Sequence, residues 1–134
     1  MYSLAVSHHF MIAHSFVGAV FGPAQAVHGA TYAVEMEVRR ASLDGQGLVC
    51  DIGRALDTLK AVLAELDYRN LDEVEAFRGR NTTTEFLAGE IFRRLAARVK
   101  EGALGEGTAG ALASMRVVLR ESPVAWAAFE GPLG

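Results

Sequence analysis

The sequence predicts an antiparallel α+β domain in which two strands come before, and two after, a pair of helices. Apolar side chains alternate with a period of two through the first third of the chain and again near its C-terminus. Between these stretches the apolar spacing becomes helical. A length of 134 residues supports one core and is short for two, so residues 1–134 are read as a single domain. The expected order is β-β-α-α-β-β: a four-stranded antiparallel sheet with two helices on one face.

The first strand follows from Leu4, Val6, His8, Phe10, Ile12 and His14, which occupy alternate positions among mostly small residues. The second has His28, Ala30, Tyr32, Val34, Met36 and Val38 on one face and Thr31, Glu35, Glu37 and Arg39 on the other. Leu43-Asp-Gly-Gln-Gly47 marks a turn or loop. From Asp51, residues Ala55, Leu56, Leu59, Val62, Leu63 and Leu66 form a helical stripe. Thr82-Thr-Thr-Glu85 has capping-box spacing for a second helix, with Leu87, Ala88, Ile91, Leu95 and Val99 on its apolar face. Gly105-Glu-Gly-Thr-Ala-Gly110 fits G-x-G-x-x-G, but it follows a helix and precedes a strand, the reverse of a dinucleotide-binding turn. Met115, Val117, Leu119 and Glu121 then share a strand face, Pro123 interrupts, and Val124 to Glu130 supply the last strand.

Hydrophobic residues are 51% of the chain, which excludes disorder. Thirteen basic and 16 acidic residues leave a net charge of −3, which argues against a nucleic-acid or anionic-membrane binder. The pairs Arg39-Arg40 and Arg93-Arg94 are interleaved with acids and read as solvated faces or interface residues. Met1 to Val34 carries no Asp, Glu, Lys or Arg and holds all four histidines. A signal peptide is not expected, because a basic n-region is missing and His14 interrupts the apolar run. Gly22 and Pro23 keep that run too short to span a membrane. Cys50 alone allows no disulfide within the chain and suits a reducing cytoplasm, where Asn81-Thr-Thr83 is no glycosylation site. A cytoplasmic protein is expected.

Six short motifs stand in an informative order: Phe10-Met-Ile-Ala-His14, Val27-His-Gly-Ala-Thr-Tyr32, Gly47-Leu-Val-Cys-Asp-Ile52, Leu66-Asp-Tyr68, Thr83-Thr-Glu85 and Arg120-Glu121. In this order and spacing the chain resembles the 6-pyruvoyl-tetrahydropterin synthase family, which includes the 6-carboxy-tetrahydropterin synthases, along about its whole length. The resemblance implies the tunnelling fold, in which the four-stranded sheets of small subunits join into a barrel. It also implies a homo-oligomer, commonly a hexamer built as a dimer of trimers, with pterin pockets between subunits.

Departures from the family pattern are as informative as the matches. Family enzymes hold zinc through a histidine in the first strand and a His-x-His pair in the second. His14 and His28 match two of these ligands, but Ala30 occupies the third position. His8 is a poor substitute, since it lies six residues from His14, about 20 Å along a strand. The family's cysteine base has no counterpart in Gly22-Pro-Ala-Gln-Ala-Val27. Of the family's Asp-His relay, Asp67 matches and Tyr68 replaces the histidine; Cys50 falls in a different motif. Glu121 matches the glutamate that holds the amino and N–H edge of the pterin, and Thr83 and Glu85 match residues near it. Capping alone accounts for Thr82 and Glu85, and His14 and His28 also fit as interior histidines.

The expectation is a homologue that binds a pterin-like heterocycle through Glu121, Thr83 and Glu85. It carries no zinc and lacks the residues for the usual reaction, with Asp67 and Tyr68 as an eroded relay. Two alternatives stay open: an active synthase with unusual ligands, and a non-catalytic structural or sequestering hexamer.

Overall fold

The two alternating segments at the N-terminus pair with each other over their whole length. In the computed structural model, which describes residues 1–134, β1 (Tyr2–His14) and β2 (His28–Arg40) run antiparallel from Tyr2↔Arg40 to His14↔His28 without a break. Val6, Phe10, Ile12, Tyr32, Val34, Met36 and Val38 are buried on the face that receives the helices. The intervening residues are exposed or half-buried on the opposite, helix-free face.

The first helix, α1 (Ile52–Ala64), begins at Asp51, whose carboxylate accepts the Arg54 N–H at 2.9 Å. Its expected stripe is buried through Ala55, Leu59, Val62 and Leu63; Leu56 is half-buried and Leu66 is buried just past the helix end. Tyr68 adopts a left-handed φ of 60°, turning the chain into β3 (Arg69–Asn70). The second helix, α2 (Thr84–Lys100), buries Leu87, Ala88, Ile91, Leu95 and Val99. β4 (Leu112–Ser122) and β5 (Ala125–Pro132) complete a sheet of order β3-β1-β2-β4-β5.

The sheet therefore has five strands rather than the expected four, and it is mixed, because β3 lies parallel to β1 at Ile12 and Ala13. The element order becomes β-β-α-β-α-β-β. A strand of two residues has no alternation to read, which is why the sequence pattern does not reveal it.

Two further details differ from expectation. The cap of α2 is Thr83, whose hydroxyl accepts the Phe86 N–H at 3.1 Å; Glu85 is thus one position short of the capping box. Thr82 is buried and points elsewhere. At the end of β4 the Met115, Val117 and Leu119 face is buried as expected, but a register shift between Arg120 and Ser122 carries Glu121 out to the surface.

The arginine pairs are surface groups: Arg39 meets Glu37 and Glu130, while Arg93 and Arg94 meet Glu90. Cys50 is buried beside the turn that precedes α1, as a small hydrophobe would be, and burial pushes its thiol pKa up.

Thr83→Ala should lower unfolding stability by ~1 kcal/mol in urea titrations through loss of the cap. Glu85→Ala should cost less, and the opposite ranking would contradict this capping arrangement.

Candidate ligand-binding site

The residues singled out from sequence fall into three places. The first is the end of the β1–β2 pair, where His14 and His28 stand directly across from one another with ring centroids 4.6 Å apart. His14 is 1% exposed and its Nδ1 lies 3.0 Å from the Thr82 hydroxyl. Burial and the neighbouring His28 depress its pKa to about 4, against the opposing pull of Thr82 and Asp72. The His28 Nδ1 donates to the Ala26 carbonyl at 2.9 Å, which leaves Nε2 as its lone-pair nitrogen.

The connection between β1 and β2 folds over this pair. Phe16 packs 4.5 Å from His14 and 5.5 Å from His28, and Phe21 packs on Phe16 at 4.7 Å. Both margins of the connection's first turn are fastened. Ser15 donates its N–H and hydroxyl to the Asp72 carboxylate at 3.1 and 2.6 Å. The Val17 N–H and carbonyl engage the Asn81 amide at 2.9 and 3.0 Å.

A catalytic zinc centre takes three protein ligands and keeps a fourth position open. At this end of the sheet the chain places two imidazoles, His14 and His28. Alternation puts Ala30 on the His28 face, and its cross-strand partner is the buried Ile12. No group of three or more His, Cys, Asp or Glu side chains is placed to surround an ion.

The second place is the outer edge of β1. The Asp67 carboxylate accepts the Met11 N–H at 2.9 Å, and the Tyr68 N–H donates to the Met11 carbonyl at 2.7 Å. Asp67 is thereby committed to the backbone and helps to start β3. The Tyr68 side chain is 82% exposed in a cleft with Arg69, Asn70, Glu73, Val74 and Glu75.

The third place is the end of β4. Glu121 and Glu85 meet in a cleft of about 300 Å³ with Thr84, Ala125, Trp126 and Ala127. Thr83 sits one residue behind, occupied as the α2 cap. Tyr32 is buried nearby: burial pushes its pKa up, the Thr84 side chain pulls the other way, and the Glu121 and Glu85 carboxylates add to the rise.

Glu121 and Glu85 thus line one cleft, away from Asp67 and Tyr68. β3 occupies one margin of the sheet, and β1 and β2 intervene before β4. That separation is about 14 Å at the usual strand spacing. Tyr32, Thr82, Thr84 and Trp126 join these places without a motif that marks them as site residues in the sequence. The available signal is a tyrosine in an otherwise apolar face, because a tyrosine hydroxyl seeks a polar partner or water.

The family profile for 6-pyruvoyl tetrahydropterin synthase matches residues 3–132. The chain belongs to this family. Solved structures share the fold. A 6-pyruvoyl tetrahydropterin synthase from Caenorhabditis elegans superposes with a TM-score of 0.79 at 22% identity, covering 97% of this chain and 95% of that one. The enzyme from Plasmodium vivax gives 0.78 at 19% identity, with 98% of each chain covered. An uncharacterized Wolinella succinogenes protein gives 0.64 at 16%, covering 96% and 97%. No curated protein sequence matches the chain.

The buried histidine of this family member has a consequence for stability. With a folded pKa of about 4 and an unfolded value near 6.5, the unfolded chain binds the extra proton between these limits. Stability tied to neutral His14 is therefore complete above the unfolded value and falls as pH drops toward 4. About 2 kcal/mol should be lost between pH 7 and pH 5. Denaturant titrations of wild type and His14→Gln at both pH values test this, with the variant expected to show the shallower dependence. Equal dependence in the two proteins would remove His14 as the cause.

Proposed function

We propose that this family member binds a planar pterin-like heterocycle at Glu121 and that its own residues do not support the family's zinc-dependent reaction. The observation that carries the binding reading is the state of Glu121. Its carboxylate is exposed at a cleft, and no hydrogen bond or ion pair within the chain neutralises it. A carboxylate accepts two parallel N–H donors well, and an amino group beside a ring N–H offers that pair. Glu85 adds a second acceptor in the same cleft, and Thr84 a hydroxyl.

Support for a lost reaction comes from residue chemistry. Zinc would have His14 and His28 as its ligands within the chain, while Ala30 offers no donor. The loop before His28 has no cysteine, Asp67 is engaged by Met11, and Tyr68 has no imidazole to shuttle a proton. A single positioned acid or base contributes about 10²–10⁴-fold, so these losses together remove most of the rate.

Titration of the protein with pterin (2-amino-4-oxopteridine) tests the reading by calorimetry, and by fluorescence of Trp126, the only tryptophan. Glu121→Gln puts a donor against a donor and should weaken binding roughly 10- to 100-fold with the fold retained. Undiminished binding would show that Glu121 is not the anchor. Metal analysis of the same preparation should find far less than one zinc per chain. Stoichiometric zinc whose removal abolishes turnover of a pterin substrate would restore the active-synthase reading instead.

The sheet margins favour a homo-oligomer. β3 covers β1 only at Ile12 and Ala13, and β5 has no neighbour on its outer side. Strand edges of this kind are ordinarily paired or protected, and closing sheets into a barrel does both. Sedimentation at micromolar concentration should give a trimer or a hexamer, and a monomer would rule out this assembly. No helix is long and apolar enough to cross a membrane. A cytoplasmic setting is part of the proposal, supported by the unpaired, buried Cys50.

A further inference from the structure

Glu121 is the shared wall of two clefts. Beyond the one it forms with Glu85, a second cleft of about 320 Å³ is lined by His9, Thr31, Ala33, Arg120, Ser122 and Pro123 together with Glu121. The strand register explains its shape. His9↔Ala33, Ala33↔Arg120 and Arg120↔Trp126 are successive cross-strand pairs, so four side chains stand in one row across the helix-free face. The second of them is only a methyl group. A trough is left between the His9 imidazole and the Arg120 guanidinium, whose backbones are about 10 Å apart at two strand spacings.

Arg120 has one aromatic neighbour on this face, Trp126. Its guanidinium lies 5.4 Å from the Trp126 ring centroid, within cation–π range. It forms no salt bridge with any carboxylate, including the adjacent Glu121. A free cation and a free anion in one small cleft match a ligand that presents an acceptor next to its donors. The cleft shared with Glu85 offers two carboxylates and no cation, so a ring carbonyl turned that way would face negative charge.

We propose that Arg120 is the specificity-determining partner of Glu121, donating to the ring carbonyl oxygen that adjoins the two N–H donors accepted by Glu121. The inference rests on the heterocycle reading above and narrows it to rings bearing an amino group, an N–H and a carbonyl in sequence. Such an edge places three contacts on two adjacent residues, two N–H···O bonds to the carboxylate and one to the carbonyl from the guanidinium.

The test compares pterin with 2-amino-4-thioxopteridine, which keeps both donors and replaces the carbonyl oxygen by a weakly accepting sulfur. The wild type should bind pterin about tenfold more tightly than the thioxo compound, as loss of one charge-assisted contact implies. Arg120→Leu should lose about tenfold for pterin and bind the two compounds equally. Arg120→Lys, which keeps a charged donor without the planar fork, should retain part of the preference, and this guards against a fold defect in the leucine variant. Glu121→Gln should weaken both ligands and keep their ratio. If Arg120→Leu retains the wild-type preference while Glu121→Gln weakens binding, the Arg120 assignment is overturned and the heterocycle reading stands. If the wild type binds neither compound, the heterocycle reading falls and this inference with it.

Discussion

The pairing of β1 with β2 is the constraint on which the remaining geometry depends. Side chains alternate across a strand, so slipping the register by one residue would send Phe10, Ile12, Tyr32 and Val34 to the open face. The core therefore holds the register, and the register in turn sets the polar pairs. It brings His14 opposite His28, leaves Ala30 opposite Ile12, and puts the small Ala33 between His9 and Arg120. Hydrophobic burial on one face thus decides which polar groups meet at the ends of the strands and on the other face.

Most of this frame was legible in the sequence because it repeats. Six even-numbered residues in each of the first two strands and the stripes of both helices are periodic signals, and the structure buries most of them as read. The missed features are single events with no period. β3 depends on one left-handed residue, Tyr68, and two backbone pairs. The displacement of Glu121 comes from one extra residue in β4, which alternation cannot register. Thr82 and Thr83 are adjacent threonines, and only the path of the chain decides which one caps α2 and which one meets His14.

Site residues were legible to different depths. The family resemblance points to His14, His28, Glu85 and Glu121; the two histidines stand across from one another, and the two glutamates line one cleft. Asp67 and Tyr68 both engage the backbone of Met11, at the opposite margin of the sheet from Glu121. Trp126 and Arg120 acquire meaning only from being cross-strand neighbours, which depends on where the last hairpin turns.

The fastening of the connection after β1 has a kinetic consequence. Ser15 and Val17 are each held by two hydrogen bonds to distant segments, and Phe16 between them rests on both histidines. A rotamer change of Phe16 alone has little room, because Phe21 backs it. Exposure of the imidazole pair on that side therefore requires a cooperative local opening in which several of these bonds break together. Such openings are rarer and slower than side-chain motion, and they govern the exchange of protected amides such as that of Val17.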